Sequence, residues 1–325
     1  MMKQDFYLLK NGVLSRKENT VYFYSEKERH ILPINTISSV YCYGRVTFTS
    51  GVVSYLSKKG IPIHFFNYYG YYEGTYYPRE YLLSGETIVR QAEHYLDKEK
   101  RMFLAKEILS GGISNIKRNL SYYKANEELE SIREWEEKIK DTNTISELMS
   151  VEGNIRNIYY QSFNKILPDE FNFEKRTRRP PKNMVNALIS FSNSLMYSTI
   201  LTEIYNTQLN PTISYLHEPF KRRFSLSLDL SEIFKPFIGD RVVFKLLNKK
   251  IISKDDFDKD LNYCLLKDSG RRLFLQHYNE RLDKTIKHRT LYRDVSYKHI
   301  IKLECYKLIK HVSGLKNYES FRIWW

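Results

Sequence analysis

The chain is poor in cysteine and has no long apolar run, and these two absences exclude several classes of protein. Its 325 residues include three cysteines, Cys42, Cys264 and Cys305. They are odd in number and far apart, so they form neither a zinc-ligand spacing nor a disulfide framework, which fits a reducing cytoplasm. No stretch of about 18 apolar residues exists, so no membrane span is predicted. The N-terminal residues also lack the pattern of a secretory signal, and a cytoplasmic protein is therefore expected.

Charge of one sign is in excess. Lysine and arginine together number 52, against 38 aspartates and glutamates, which gives a formal net charge of +14. Such a balance predicts a polyanionic partner, and nucleic acid or an anionic membrane surface would both fit.

Two domains are predicted from the change in hydrophobic period. In residues 1–78, short apolar or aromatic runs alternate with glycine-containing turns, as in an antiparallel meander or sandwich. Residues 79–87 are predicted to be a linker. From 88 to 325 the period is helical, so the predicted fold class is α+β, with an N-terminal β domain followed by a mostly α-helical C-terminal domain.

Several helices of the second domain have clear signals. A long helix is expected to be broken at Gly111-Gly112, and a capping box from Thr144 to Glu147 begins another. The apolar segment 183–204 predicts the central core helix, and residues 255–266 are also read as helical.

Glu152 and Arg156 lie within the apolar stripe of the helix that the capping box begins. A carboxylate on an apolar face is costly unless it is compensated. Either Arg156, one turn further on, pairs with Glu152 as a partly buried salt bridge, or a cation binds the carboxylate.

The segment 211–236 holds the other candidate residues. It carries His217 in a loop, then the basic triplet Lys221, Arg222 and Arg223, then a short helix that Pro236 is expected to end. Asp229 and Glu232 are three residues apart on that helix, so their carboxylates are expected to point the same way. The alternative is a loop histidine with satisfied hydrogen bonds and a solvated acidic face.

Glu152, His217 and Glu232, with Asp229 beside them, would suit Mg²⁺ or Mn²⁺, and the imidazole favours Mn²⁺. No fixed spacing enforces this set. A proline-bounded basic loop at 174–181 contains Arg176, Arg178 and Arg179, and the segment 271–289 is a second basic surface. The loop either contacts phosphates or is a solvated run of charge.

The chain resembles the CRISPR-associated spacer integrases, the metal-dependent DNA endonucleases that are the first core protein of CRISPR adaptation. The resemblance runs almost end to end, and it rests on the joint presence and order of several segments. These are Gly12–Arg16, Ile31–Pro33, Val40–Gly44, Gly60–Phe66, Glu152–Arg156 with Tyr159-Tyr160, Arg178–Pro181, Asn186–Ser190, Leu216-His217 and Leu228–Pro236.

The resemblance implies an N-terminal β-sandwich used for dimerisation and a helical DNA-handling domain. It implies that Glu152, His217 and Glu232 bind one divalent ion and that Asp229 is an accompanying catalytic acid. Glu232 stands where some relatives have Asp, and Lys235 where relatives often have Arg.

The implied partners are double-stranded DNA (foreign fragments and the CRISPR repeat), a second copy of the chain and a small ferredoxin-like second core protein, with no membrane. The implied reaction joins a foreign DNA 3′ end to the repeat by transesterification, and DNA would contact Arg176, Arg178, Arg179 and the triplet 221–223. The alternatives are a non-catalytic basic DNA- or RNA-binding scaffold and a repair nuclease for branched DNA.

Overall fold

A computed structural model of the chain describes residues 3–26, 28–79, 82–178, 180–219, 224–260 and 263–324. The chain forms two compact units, residues 1–82 and residues 83–325. The predicted α+β class is confirmed, because the first unit is built on sheets and the second on helices. The division between the units falls within the segment predicted as a linker, and the first helix of the second unit begins at Gly85.

The N-terminal unit contains two four-stranded sheets, ordered β1-β5-β7-β8 and β4-β3-β2-β6. Their strands are β1 Gln4–Leu8, β2 Gly12–Lys17, β3 Thr20–Ser25, β4 Glu28–Leu32, β5 Ile37–Cys42, β6 Val46–Phe48, β7 Ile63–Phe66 and β8 Tyr72–Tyr76. Buried side chains of both sheets, among them Leu14, Val21, Val40 and Ile63, belong to one hydrophobic cluster. The unit is therefore a sandwich.

The sandwich is not purely antiparallel, as a meander would be. Strand β5 pairs in parallel with β1 and β7, and β2 pairs in parallel with β6. Parallel neighbours need a crossover connection rather than a tight turn. Helix α1, Ser50–Lys58, lies in the connection from β6 to β7 and buries Val52, Tyr55 and Leu56.

The second unit is mainly helical. Its helices are α2 Gly85–Leu96, α3 Lys98–Tyr122, α4 Asn126–Glu137, α5 Ile145–Gln161, α6 Phe163–Ile166, α7 Met184–Tyr205, α8 Ser225–Phe234, α9 Arg241–Asn248, α10 Asp268–Asp283 and α11 Tyr297–Val312. Two small hairpins join them: β9 Phe257–Lys259 with β10 Cys264–Leu266, and β11 Thr285–Lys287 with β12 Asp294–Ser296. Within the described part of the chain, no helix has both the length and the apolar content needed to cross a membrane.

The predicted capping box and central helix of this unit are confirmed, and the helix predicted at 255–266 is wrong. The capping box at Thr144 and Glu147 begins α5, and α7 is almost wholly buried, as expected of a central helix. The segment 255–266 is not a helix, because its apolar residues lie in the β9–β10 hairpin, whose Cys264 N–H donates to the Pro181 carbonyl at 2.8 Å.

Gly111 and Gly112 do not break a helix, contrary to the prediction. Helix α3 runs through both, and the break falls at Asp97, whose side chain caps α3. A Cβ on Gly112 would lie 2.8 Å from the Glu232 carbonyl oxygen. The glycine therefore serves close packing of α3 on α8, which positions the backbone that carries Glu232.

The α-helix that contains Glu232 ends at Phe234, two residues before Pro236, as predicted, but the chain does not leave the helical path there. Residues 235–240 form one π-helical turn (the π turn), which connects α8 to α9. Two side chains of α3 satisfy carbonyls at this irregularity: Asn115 donates to Ile233 O at 2.8 Å and Asn119 to Pro236 O at 2.7 Å. Such single π turns occur often at functional sites.

Candidate active site

Arg156 is the centre of a partly buried charge cluster. Its Nε lies 3.2 Å from Glu152 Oε1, and its Nη2 pairs with Glu232 Oε2 from helix α8. Lys235, on the π turn, places its Nζ 2.7 Å from Glu232 Oε1. The side chains of Glu152, Arg156 and Glu232 are 18%, 13% and 7% exposed. Helices α5 and α8 therefore bring the two predicted acids to the same guanidinium.

Local charge keeps Glu232 ionised despite its burial. Burial by itself would raise the pKa of Glu232, but the positive charges of Arg156, Lys235 and His217 outweigh it, so that pKa is lowered. The negative charges of Glu232 and Glu152 raise the pKa of Arg156, although burial by itself would lower it. The cluster is thus a group of paired charges in which Glu232 stays ionised.

His217 is oriented by Asp229. The fully buried Asp229 carboxylate accepts the backbone N–H groups of residues 215, 216 and 217 at 2.7, 3.0 and 2.9 Å. Its Oδ1 also lies 2.8 Å from His217 Nδ1. Because a carboxylate only accepts, Nδ1 carries the proton, and the lone pair of the neutral ring is on Nε2.

The three-residue spacing predicted that Asp229 and Glu232 point the same way, but the two carboxylates lie in different environments. The oxygens of Asp229 are taken up by the loop that carries His217, so Asp229 is a positioning residue. Burial lowers the pKa of His217, but the hydrogen bond and charge of Asp229 outweigh it, so the pKa is raised from its ordinary value. The charge of Glu232 adds to this increase, which couples the histidine electrostatically to the acid pair.

The side chains are held in ion pairs and not in a formed metal site. Across the described ranges, no group of three or more His, Cys, Asp or Glu side chains is arranged to hold a metal ion. Arg156 lies on both glutamates, so the predicted salt bridge with Glu152 exists and extends to Glu232. The binding of one ion by Glu152, His217 and Glu232 stays a prediction, and an ion would compete with Arg156 for the two carboxylates.

Three residues beside Arg156 were not among the sequence candidates. Tyr159 accepts a hydrogen bond from Asn119 Nδ2 at 2.9 Å and is hydrogen-bonded to Asp240 of the π turn. All three are buried. The polar residues at 119 and 240 within apolar segments are the sequence signal that could have identified them.

Asp240 gives the cluster a pH-dependent stability. Burial raises its pKa from 3.8 to about 6, against the lowering effect of Arg156 and Tyr159. A carboxyl with a raised folded-state pKa contributes stability that is full below pH 4 and lost as pH rises through 6. We expect Asp240→Asn to be more stable than the wild type at pH 8, by about 3 kcal/mol at most. Urea unfolding in chelator should show this gap closing towards pH 4, and a gap of constant size would contradict it.

The predicted DNA-binding arginines differ in their surroundings. Arg176 is used within the fold, because its guanidinium donates to Asn186 Oδ1 and to Ser190 Oγ, both at 2.9 Å. It anchors the basic loop to α7, and its assignment to DNA binding stays a prediction. Arg178 is exposed. Arg179, Lys221, Arg222 and Arg223 lie outside the described residues.

Comparison with known proteins agrees with the resemblance seen in the sequence. The family model described as CRISPR associated protein Cas1 matches residues 6–280. CRISPR-associated protein Cas1 1 of Methanobrevibacter ruminantium is 57% identical over 325 residues and is covered completely, as is this chain. CRISPR-associated endonuclease Cas1 of Pyrococcus horikoshii is 52% identical over 324 residues, again with 100% of both chains covered.

Solved structures show the same fold. A Cas1 protein from Thermotoga maritima superposes with a TM-score of 0.90 at 42% identity, covering 98% of this chain and 100% of that one. A casposase bound to an integration product has a TM-score of 0.87 at 23% identity, with 98% and 93% covered. A Cas6-RT-Cas1–Cas2 complex has a TM-score of 0.87 at 19% identity, with 100% and 36% covered. The last two are similar in fold alone.

With a family model matching most of the chain and relatives above half identity along its whole length, the chain belongs to the Cas1 family of CRISPR-associated proteins.

Proposed function

We propose that this protein is a divalent-metal-dependent DNA endonuclease and integrase of CRISPR adaptation. The observation that carries the proposal is the pair formed by the partly buried Glu152 and the buried Glu232, which come from two helices and share one guanidinium. Two acids from separate helices are rarely buried together without a cation that requires them. The Pyrococcus horikoshii relative is named an endonuclease, which supports the same activity here.

The donor set suits Mg²⁺ or Mn²⁺. Glu152 and Glu232 offer carboxylate oxygens, and His217 offers Nε2, because Asp229 holds Nδ1. Hard divalent ions favour carboxylates, and one imidazole is compatible with Mn²⁺. When bound, such an ion supplies Lewis-acid polarisation of a phosphodiester and lowers the pKa of a coordinated hydroxyl.

The proposed reaction is transesterification. The 3′-hydroxyl of a foreign DNA end attacks a phosphorus at the repeat boundary, so that a new P–O bond forms while the bond to the existing 3′ oxygen breaks. The attacking hydroxyl loses a proton and the leaving 3′ oxygen gains one. Both ring nitrogens of His217 would then be engaged, Nδ1 by Asp229 and Nε2 by the ion, so these protons would be exchanged with water. With water as the nucleophile, the same site would hydrolyse DNA.

DNA would be held mainly through its phosphates. Arg178 is exposed on the basic loop, and we assign it, with Arg179 and the triplet 221–223, to backbone contacts. We further propose that two copies of the chain form a homodimer through the N-terminal sandwich. A small ferredoxin-like protein is a second proposed partner. A complex that contains Cas1 and Cas2 shares the fold, which supports such a partner, and the casposase bound to an integration product supports strand joining.

Removing metal tests the proposal against a non-catalytic scaffold. We expect strand joining into a plasmid that carries the repeat to need Mg²⁺ or Mn²⁺ and to fall by about three orders of magnitude in chelator, since Lewis-acid stabilisation supplies several kcal/mol. DNA binding in chelator should remain, because the basic surface provides it. A scaffold would bind equally well but show no joining or cleavage in either condition. Assays on branched DNA, with and without the small partner, separate integration from repair.

A further inference from the structure

The hairpin formed by β11 and β12, with Lys284 just before it, carries an excess of positive charge, although Asp294 lies opposite Lys287 in its register. Lys284, Lys287, Arg289 and Arg293 are all exposed on it. Among the described residues, none of these four forms an ion pair with a carboxylate, and Arg289 lies over the Trp324 ring at 5.1 Å from its centroid. Exposed cations without acidic partners produce a local potential that attracts a polyanion. The hairpin is therefore unlike α4, where Arg133 and its neighbours pair with glutamates.

Two nearby histidines have lowered pKa values, and the positive charges around the hairpin contribute to the lowering. Burial lowers the pKa of His288, and the charges of Lys307 and Arg293 lower it further. His299 behaves in the same way, with Arg293 again contributing.

The tip of the hairpin presents an aromatic ring to solvent. Tyr292 is 80% exposed, and its neighbour Leu291 is also exposed. The tip is ordered by backbone hydrogen bonds, since Tyr292 N–H donates to His288 O at 3.0 Å and His288 N–H donates to Arg293 O at 2.9 Å. An exposed ring on a fixed turn is pre-organised for stacking.

Tyr292 adopts a backbone conformation that its side chain disfavours. Its φ is +52°, in the left-handed region that glycine or asparagine occupies more easily. Glu18, Lys124 and Lys250 share this conformation, so it fixes the direction of the ring but does not by itself mark a site. The exposure of the ring and the surrounding cations converge on Tyr292.

We propose that the β11–β12 hairpin is a contact surface for single-stranded DNA, with Tyr292 stacking on an unpaired base and the four cations holding the flanking phosphates. This rests on the proposed function, because it assumes DNA as the substrate. Stacking needs an exposed base face, which interior base pairs of a duplex do not offer, so the partner is a single-stranded segment or a frayed end. Arginine and lysine beside an aromatic ring is the combination that binds such strands.

The test compares binding of single-stranded DNA and of a blunt duplex of the same sequence to purified full-length protein. Tyr292→Asn removes the ring and suits the backbone, so the fold should be unaffected. We expect it to weaken single-strand binding about five-fold or more with little effect on the duplex. Tyr292→Trp should retain binding. Leu96→Asn is the matched control, since Leu96 is 77% exposed on α2, and it should change neither affinity.

The cations are tested through salt dependence. Replacing Lys287 and Arg293 with alanine should reduce the slope of log affinity against log salt for single strands by about 1.4, or about 0.7 per phosphate contact. The same change at Lys98 and Lys249, which are exposed elsewhere, is the control.

Each outcome bears on one proposal. If the wild type binds no DNA, the proposed function fails and this inference fails with it. If the wild type binds and the Tyr292→Asn and Lys287/Arg293 variants bind equally well, only the hairpin assignment is overturned. If these variants lose binding to anionic vesicles but keep their binding to DNA, the hairpin is a lipid-binding surface and its assignment to single-stranded DNA is overturned.

Discussion

Glu232→Gln is expected to abolish metal-dependent cleavage and strand joining while DNA binding is retained. The substitution keeps the shape of the side chain but removes the charge that Arg156 and Lys235 now neutralise. If Glu232 binds the ion, the rate should fall by about three orders of magnitude, which is the several kcal/mol that Lewis-acid stabilisation supplies. Gel-based joining assays, with binding measured in parallel by anisotropy, provide the readout.

Glu128→Gln is the matched control for this prediction. Glu128 is also a partly buried glutamate paired with a lysine, with its side chain 13% exposed and its Oε1 2.9 Å from Lys165 Nζ. It lies on α4 and has no place in the proposed reaction, so its variant should join DNA at the wild-type rate. Equal losses in both variants would show that the effect is on folding and not on the site.

Arg156→Ala is expected to make the stability of the protein depend on divalent metal. Without Arg156, Glu152 and Glu232 lose the guanidinium that compensates them, which should lower the free energy of unfolding in chelator by about 3–5 kcal/mol. If the two acids bind an ion, Mn²⁺ should replace the lost charge. At a concentration about 100 times the dissociation constant, it would restore about 2.7 kcal/mol.

The wild type should gain less from Mn²⁺ than the Arg156→Ala variant, because its arginine competes with the ion. Thermal or urea unfolding with and without Mn²⁺ measures the difference, and it needs no DNA. Arg271→Ala is the control, since Arg271 is a buried arginine paired with Asp268 on α10 and should lose stability that metal does not restore. An Arg156→Ala variant that is indifferent to Mn²⁺ would contradict the shared site.

Part of the site was predictable because it is local in sequence. Glu152 and Arg156 are one helical turn apart, so their pairing follows from helix geometry once the capping box fixes where α5 begins. The second partner, Glu232, is 76 residues from Arg156, and no periodicity relates the two helices. Family resemblance supplied that connection, and spacing could not.

Other features depended on packing that a single segment does not encode. From the sequence alone Gly112 is predicted to break a helix, but in the structure α8 packs closely against it. Pro236 is predicted to end the helical path, but Asn119 donates a hydrogen bond to its carbonyl and the chain continues into the π turn. From the sequence, the carboxylates of Asp229 and Glu232 are predicted to point the same way, because the two residues are three positions apart on one helix. The direction of the Asp229 carboxylate is set instead by the three N–H groups of the His217 loop.

Crystals soaked in Mn²⁺ and measured for anomalous scattering test the central claim most directly. We predict one anomalous peak within coordination distance of Glu152, His217 Nε2 and Glu232, with the Arg156 guanidinium moved away from at least one carboxylate. A peak elsewhere, or none at these three side chains with Arg156 still paired to both glutamates, would contradict the enzymatic account.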